Sequence, residues 1–164
     1  MMKKPTLAQI KTFMKKAKRH GYDAETPSIK SHARLGVDIL QYPRGKNPRT
    51  SKWFWEDAWV GSNPFSGVAT VWHNRRPCWQ THYWGCVATT ENSTYIYSFL
   101  RWARRQRWEN SRKKIKGGST FPTLTYTVQD LPLSKVFSSQ RKIETIYRRN
   151  TIVCEVIEIK GVCL

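Results

Sequence analysis

Apolar and polar positions along the N-terminal segment follow the period of an α-helix. The apolar positions, three or four residues apart, are Leu7, Ile10, Met14 and Ala17. This spacing places them on one buried stripe, and the opposite face is basic. Thr6 and Gln9 have the spacing of a capping box, and Gly21 follows as a stop signal. The pattern therefore predicts a helix over residues 6–20.

The next part of the chain changes to the two-residue period of β-strands. Trp53, Trp55 and Asp57 alternate with other residues and so share one face of a predicted strand. The clearest hairpin has a basic connection over residues 74–77, where Pro77 begins the second strand. The predicted strands in this part are residues 35–40, 52–60, 68–73 and 78–84.

A second helix is predicted over residues 93–108, with Asn92 or Ser93 as its N-cap. Its apolar face consists of Ile96, Phe99, Leu100 and Ala103. Strand-like sequence then returns in residues 121–128, 142–148 and 152–159. Apolar residues fall on both sides of the last segment, which predicts a central strand covered on both faces. The chain is thus expected to form a single α+β domain over residues 1–164, with an antiparallel β-sheet built from hairpins and packed with two main α-helices.

Charge adds a functional expectation to this fold. The 164 residues include 29 Lys and Arg but only 11 Asp and Glu, a formal net charge of +18. The 8 Trp, 7 Tyr and 6 Phe indicate that this charge sits on a folded body. A polyanionic partner is the simplest reason to retain such an excess, and nucleic acid, DNA or RNA, is the leading choice. An acidic protein, a membrane surface or a merely solvated basic surface are the alternatives.

The chain has no apolar run of the ~20 residues that span a bilayer, and no apolar signal core follows its basic N-terminus. We therefore expect a cytoplasmic protein with no membrane partner. The four cysteines are then expected to be free thiols.

The predicted nucleic-acid contacts lie mainly in the basic segment 101–116, because Arg binds phosphate bidentately and a Trp side chain can stack on a base. Two hairpin tips are expected to assist by contacting the backbone across a groove. The alternative is a solvated helix face and ordinary polar turns. The candidate residues are Arg101, Arg104, Arg105, Arg107, Trp108, Arg112, Lys113 and Lys114, the tips Arg75, Arg76, Arg148 and Arg149, and Lys15 and Lys16 of the first helix.

Two other kinds of site are weaker candidates. Trp55, Asp57 and Trp79 could form an aromatic pocket, although most of the tryptophans are expected in the core. His73, Cys78, His82 and Cys86 do not have zinc spacing, since Cys78 and His82 would lie about 13 Å apart along a strand. The sequence also lacks the common nucleotide-binding and hydrolase motifs. We therefore expect no metal, no cofactor and no catalytic residues.

Several short motifs resemble a known family. Residues 55–61 carry an aromatic-x-Asp-x-aromatic-x-Gly motif, and residues 65–67, 77–79 and 83–85 continue the pattern in order. The closing hairpin over residues 143–161 is also similar. The family is an uncharacterised bacterial domain of unknown function that sometimes follows a Cro/repressor-type helix-turn-helix. The resemblance extends from about Thr6 to Leu164 and implies an α+β fold and no established activity. This chain departs from the family in being far more basic and in having no recognisable helix-turn-helix.

Three functions follow as hypotheses. The first is a non-enzymatic nucleic-acid-binding protein. The second is a protein-interaction module, such as an inhibitor or accessory subunit of a larger, for example ribonucleoprotein, complex. The third is a small-ligand or enzymatic domain with an aromatic pocket around Asp57.

Overall fold

The computed structural model describes residues 4–22, 29–30, 36–110, 112–131 and 139–163, with the backbone alone described for 29–30, 108–110 and 139. Two helices, α1 and α2, and nine strands, β1 to β9, lie within these ranges. In chain order they are α1 (Leu7–Gly21), β1 (Ile29–Lys30), β2 (Val37–Tyr42), β3 (Trp53–Val60), β4 (Phe65–His73), β5 (Arg76–Val87), α2 (Ser93–Asn110), β6 (Lys114–Lys116), β7 (Leu124–Leu131), β8 (Ser139–Arg148) and β9 (Thr151–Val162).

The described strands form one antiparallel sheet in the order β1-β2-β3-β4-β5-β9-β8-β7-β6. Neighbouring strands in sequence pair as hairpins, except that β5 pairs with β9 and so joins the two halves of the sheet. The predicted α+β class, antiparallel sheet and two helices are confirmed. Strands, however, make up much more of the described chain than helices do.

The helix ends follow from their caps. The Thr6 side chain accepts a hydrogen bond from the Gln9 amide, and the Gln9 side chain accepts one from the Thr6 amide at 2.9 Å. At α2, the Asn92 side chain accepts a hydrogen bond from the Tyr95 amide at 3.0 Å. Both predicted starts are confirmed, because each cap satisfies amides that lack a partner within the helix.

Both helices pack on the same side of the sheet, over two apolar clusters. One cluster contains Ile96 and Phe99 of α2 and Tyr126 of β7. The other contains Ile10 of α1 and Trp55 of β3. The two helices therefore cover one face of the sheet, and sites can form where that cover leaves a space.

Gly21 explains how closely the end of α1 approaches the sheet. A Cβ atom at this position would lie 2.3 Å from the Trp55 ring. Gly21 is the last residue of α1, where a stop signal was predicted after residue 20. Its essential property here is the absence of a side chain.

The basic segment 101–116 is divided between two elements, because α2 ends at Asn110 and residues 114–116 form the edge strand β6. One prediction about the C-terminal half is wrong. The central strand β9 is not covered on both faces, since Ile152 and Ile159 are 52% and 48% exposed. Glu158 points towards the helices, so Ile159 points to the opposite face of the sheet. Neither helix in the described ranges is long and apolar enough to cross a bilayer.

Candidate functional site

A buried cluster of charges lies between α2 and the sheet. Glu144 of β8 and Glu158 of β9 face the helices, and Arg104 of α2 contacts both, at 2.5 and 3.2 Å. Lys142 also contacts both, at 2.6 Å each. Tyr126 donates a hydrogen bond to Glu144 at 2.6 Å. These side chains are nearly inaccessible to solvent, so each charge depends on its partners.

The partners determine how the glutamates ionise. Burial by itself would raise the pKa of Glu144, but Arg104 and Lys142 outweigh it and hold that pKa well below its usual range. Burial and the Glu144 carboxylate raise the pKa of Glu158, and Lys142 and Arg104 again reverse the sign. Both carboxylates are therefore anionic at neutral pH.

The predicted phosphate contact at Arg104 is wrong, because this side chain is buried. Arg104 is only 8% exposed, and its guanidinium is held by Glu144 and Glu158. The sequence pattern suggested a phosphate contact because Arg104 lies within a basic run. Its role in the structure is to neutralise the two buried carboxylates.

A basic cleft of about 340 Å³ opens beside this cluster. Three of its lysines come from α1, at positions that share one helix face. The others come from the end of α2, the segment after it, and strands β8 and β9. The seven cations are Lys11, Lys15, Lys18, Arg107, Lys113, Lys142 and Lys160. Trp79 and Met14 contribute apolar surface. We call this feature the basic cleft.

Burial and neighbouring charges lower the pKa of two lysines in the basic cleft. Burial, together with Lys142, Lys160 and Arg104, lowers the pKa of Lys18 to about 8, although Glu158 opposes the shift. Burial and the Lys142 charge likewise lower the pKa of Lys160. Burial is thus the main reason that these two lysines lose their protons more readily, and neighbouring cations add to the effect.

Three of the predicted contacts, Lys15, Arg107 and Lys113, meet in the basic cleft. Arg107 also approaches Glu144 at 3.6 Å, and Lys113 forms an exposed ion pair with Asp130 at 3.0 Å. Exposed pairs of this kind contribute little and are easily replaced. The other predicted cations that lie exposed outside the cleft are Lys16, Arg75, Arg76, Arg101, Arg112, Lys114 and Arg149. Arg105 is partly buried, and the side chain of Trp108 lies outside the described residues.

The two hairpin tips lie far apart in the structure. The pairs Trp79–Val162 and Val87–Cys154 mark opposite ends of the β5/β9 ladder, and the tips lie beyond these ends. At ~3.3 Å per residue the ends are about 26 Å apart. In addition, the Arg148 guanidinium donates two hydrogen bonds to Glu91, at 2.9 and 2.8 Å. Arg148 is therefore occupied by a local ion pair.

Sequence reasoning missed four lining residues, Lys11, Lys18, Lys142 and Lys160, as members of this site. The spacing of Lys11, Lys15 and Lys18 could have identified the α1 portion, because these positions share a face. Lys142 and Lys160 could not be found in this way, because they join the site only through the pairing of β8 with β9.

A second cavity, of about 350 Å³, surrounds Asp57. The carboxylate is 2% exposed and accepts hydrogen bonds from the hydroxyls of Tyr22 and Tyr83, the latter at 2.6 Å. Gly67 lies opposite Tyr83 in the sheet, and a Cβ there would lie 2.3 Å from the Tyr83 hydroxyl. The missing side chain at Gly67 therefore lets Tyr83 lie across the sheet towards Asp57.

Asp57 does line a cavity with aromatic walls, as predicted, but the two predicted tryptophans, Trp55 and Trp79, do not line it. Trp55 is completely buried in the core beneath α1, and Trp79 lines the basic cleft instead. The aromatic walls around Asp57 come from Trp59, Phe65 and three tyrosines. We call this feature the Asp57 cavity.

The cysteines and histidines do not assemble a metal site in the described part of the chain, where no group of three or more His, Cys, Asp or Glu residues could hold an ion. All four cysteines are free.

The model of a family described as Domain of unknown function (DUF5680) matches residues 57–162. This span is well over half of the chain, and the chain therefore belongs to that family. The matched span begins at Asp57 and includes α2 and strands β4 to β9, whereas α1 precedes it. No curated protein matches the chain, and no solved structure does so either.

Proposed function

We propose that this member of the DUF5680 family binds the phosphate backbone of a nucleic acid in the basic cleft and catalyses no reaction there. The observation that carries the proposal is the convergence of seven cations from five separate parts of the chain on one cleft. A solvated helix face does not require strands β8 and β9 to supply two further lysines to the same opening.

The local charge balance supports an anionic ligand. Lys142 and Arg107 are partly neutralised by the buried Glu144 and Glu158. Lys113 pairs with the exposed Asp130, and no carboxylate is among the described residues that line the cleft. An anion in the cleft would also favour the charged forms of Lys18 and Lys160, whose pKa values are lowered chiefly by burial and further by neighbouring cations.

The size of the charge excess favours a polymer over a single phosphate. The formal charge of +18 extends beyond the cleft, and exposed cations outside it include Arg112 and Lys114. A nucleic acid presents phosphates at regular intervals and releases counterions when several are bound together. Apolar surface from Met14 suits the sugar faces between phosphates, and Trp79, which is 5% exposed, forms part of the cleft wall.

The test compares two double variants that remove equal charge. In the first, Lys11→Gln and Lys15→Gln remove two exposed cations from the cleft. In the control, Lys16→Gln and Lys46→Gln remove two exposed cations that do not line it. Binding to labelled single- and double-stranded DNA and RNA is measured by fluorescence anisotropy.

The cleft variant should lose about tenfold or more in affinity, and its salt slope should fall by about 1.4–1.8, since each phosphate contact contributes ~0.7–0.9. The control should lose far less. Equal losses in both variants would refute the cleft assignment. If the wild-type protein binds none of the four nucleic acids, and instead retains a protein partner after nuclease treatment, the interaction-module hypothesis replaces this one.

A further inference from the structure

The Asp57 cavity has a composition that the nucleic-acid proposal does not use. Its walls combine aromatic rings, from Trp59, Phe65 and Tyr97, with two carboxylates, Asp38 and Asp57. Ligand pockets of ordinary proteins have volumes of about 300–1,000 Å³, so a cavity of about 350 Å³ is at the small end of that range. It has room for about a dozen waters by liquid volume, which is the scale of a nucleobase with its sugar.

The hydrogen-bonding groups at the cavity favour a ligand that donates N–H bonds. A carboxylate has about four acceptor positions. Tyr22 and Tyr83 occupy one position on each oxygen of Asp57. Burial and the adjacent Asp57 raise the pKa of both phenols, which therefore stay protonated and keep donating to the carboxylate. The remaining acceptor positions of Asp57 are available to a ligand in the cavity.

A cation lies at the rim of the Asp57 cavity. Arg101 of α2 is exposed and lines the same cavity. Arg104 also lines it, but its charge is neutralised by Glu144 and Glu158. A ligand in the cavity would thus have a planar ring between aromatic walls, amino groups towards the carboxylates, and any phosphate towards Arg101.

We infer that the Asp57 cavity binds a nucleobase with an exocyclic amino group, held by stacking on the aromatic walls and by hydrogen bonds to Asp57. Unstacked bases are recognised in this way, through aromatic contacts and their Watson–Crick edge. The base can come from a free nucleoside or from a base turned out of a bound strand. The inference does not rest on the basic cleft, since a nucleoside has no phosphate.

The experiment titrates the full chain with adenosine, guanosine, cytidine and uridine by isothermal calorimetry. At least one of the three amino-bearing nucleosides should bind saturably below about 1 mM, and uridine should bind at least several-fold more weakly. Adenosine monophosphate should bind more tightly than adenosine if Arg101 contacts its phosphate. Absence of saturable binding by all four nucleosides would overturn the inference.

Two variants locate the site. Asp57→Asn should weaken nucleoside binding about tenfold or more, because it replaces a charged acceptor. If that variant does not fold, Trp59→Leu provides the test, with Trp84→Leu as its control, since Trp84 is 47% exposed and does not line the cavity. Trp59→Leu should weaken binding at least several-fold and Trp84→Leu should not. Unchanged binding by Trp59→Leu and by folded Asp57→Asn would overturn the inference.

The same variants distinguish the source of the base and separate this inference from the proposed function. The Lys11→Gln, Lys15→Gln variant should bind nucleosides like the wild type, whatever its affinity for nucleic acid. If Asp57→Asn or Trp59→Leu also weakens binding of a single-stranded oligonucleotide, the cavity receives a base from the strand. If oligonucleotide binding is unchanged while nucleoside binding is lost, the ligand is a free nucleoside.

Discussion

The most informative stability prediction concerns Arg104, which lies in the basic run of α2 but is buried. Arg104→Met keeps an apolar side chain of similar reach and removes the charge. It leaves Glu144 and Glu158 with Lys142, at 2.6 Å from each, and with Arg107 at 3.6 Å from Glu144. The two buried carboxylates would then depend mainly on Lys142.

Removing one partner of a buried ion pair costs about 3–5 kcal/mol. Because Lys142 still contacts both glutamates, we expect the lower end, about 3 kcal/mol. This is a large part of the total stability of a domain, about 5–15 kcal/mol. For a chain of this size it corresponds to a fall of about 6–12 °C in Tm.

The assay is urea denaturation followed by tryptophan fluorescence, with Arg101→Met as the matched control. Arg101 lies one turn earlier on α2 and is exposed, so its loss should change the free energy of unfolding by about 0.5 kcal/mol or less. The loss of unfolding free energy in Arg104→Met should shrink as the pH falls from 7 towards 4.5. Without Arg104, the carboxylates of Glu144 and Glu158 can take up protons in that range. A deficit below about 1 kcal/mol at pH 7 would refute the structural role assigned to Arg104.

Two further predictions follow from other contacts. Gly21→Ala should lower the free energy of unfolding by about 1–3 kcal/mol, measured in the same urea assay, because a Cβ would lie 2.3 Å from the buried Trp55 ring. Polyanion binding should weaken by up to about tenfold between pH 7 and 9, as Lys18, with a pKa of about 8, loses its proton. Anisotropy titrations across that range should show a flatter profile for Lys18→Gln, and an equally steep one would contradict the role of Lys18.

Local sequence patterns predicted both helices and the longer strands, but not the short strands β1 and β6. The starts of both helices were predicted because Thr6, Gln9 and Asn92 act within one turn of the chain. The hairpin of β4 and β5 was predicted because its strands are adjacent in sequence and bounded by a basic turn. Boundaries shifted by a few residues where pairing continued beyond the alternating pattern, as in β9, which extends to Val162.

The sites depended on contacts that local patterns do not contain. Arg104 meets Glu144 forty positions later in the chain, so its neutralising role could not be inferred from the basic run around it. The basic cleft requires β8 and β9 to present Lys142 and Lys160 beside α1. Asp57 was predicted as the acid of an aromatic pocket, but its partners Tyr22 and Tyr83 come from the end of α1 and from β5, which lies two strands away from β3 in the sheet.

The most direct test of the central claim is the salt dependence of nucleic-acid binding by the wild-type protein. Lys142 and Arg107 contact Glu144, and we expect each of the other five cations of the cleft to neutralise one phosphate. At ~0.7–0.9 per contact, log K plotted against log salt should have a slope of about −3.5 to −4.5, with binding still measurable near physiological salt. A slope shallower than about −1, or binding that disappears well below physiological salt, would contradict the proposal that this cleft binds a phosphate backbone.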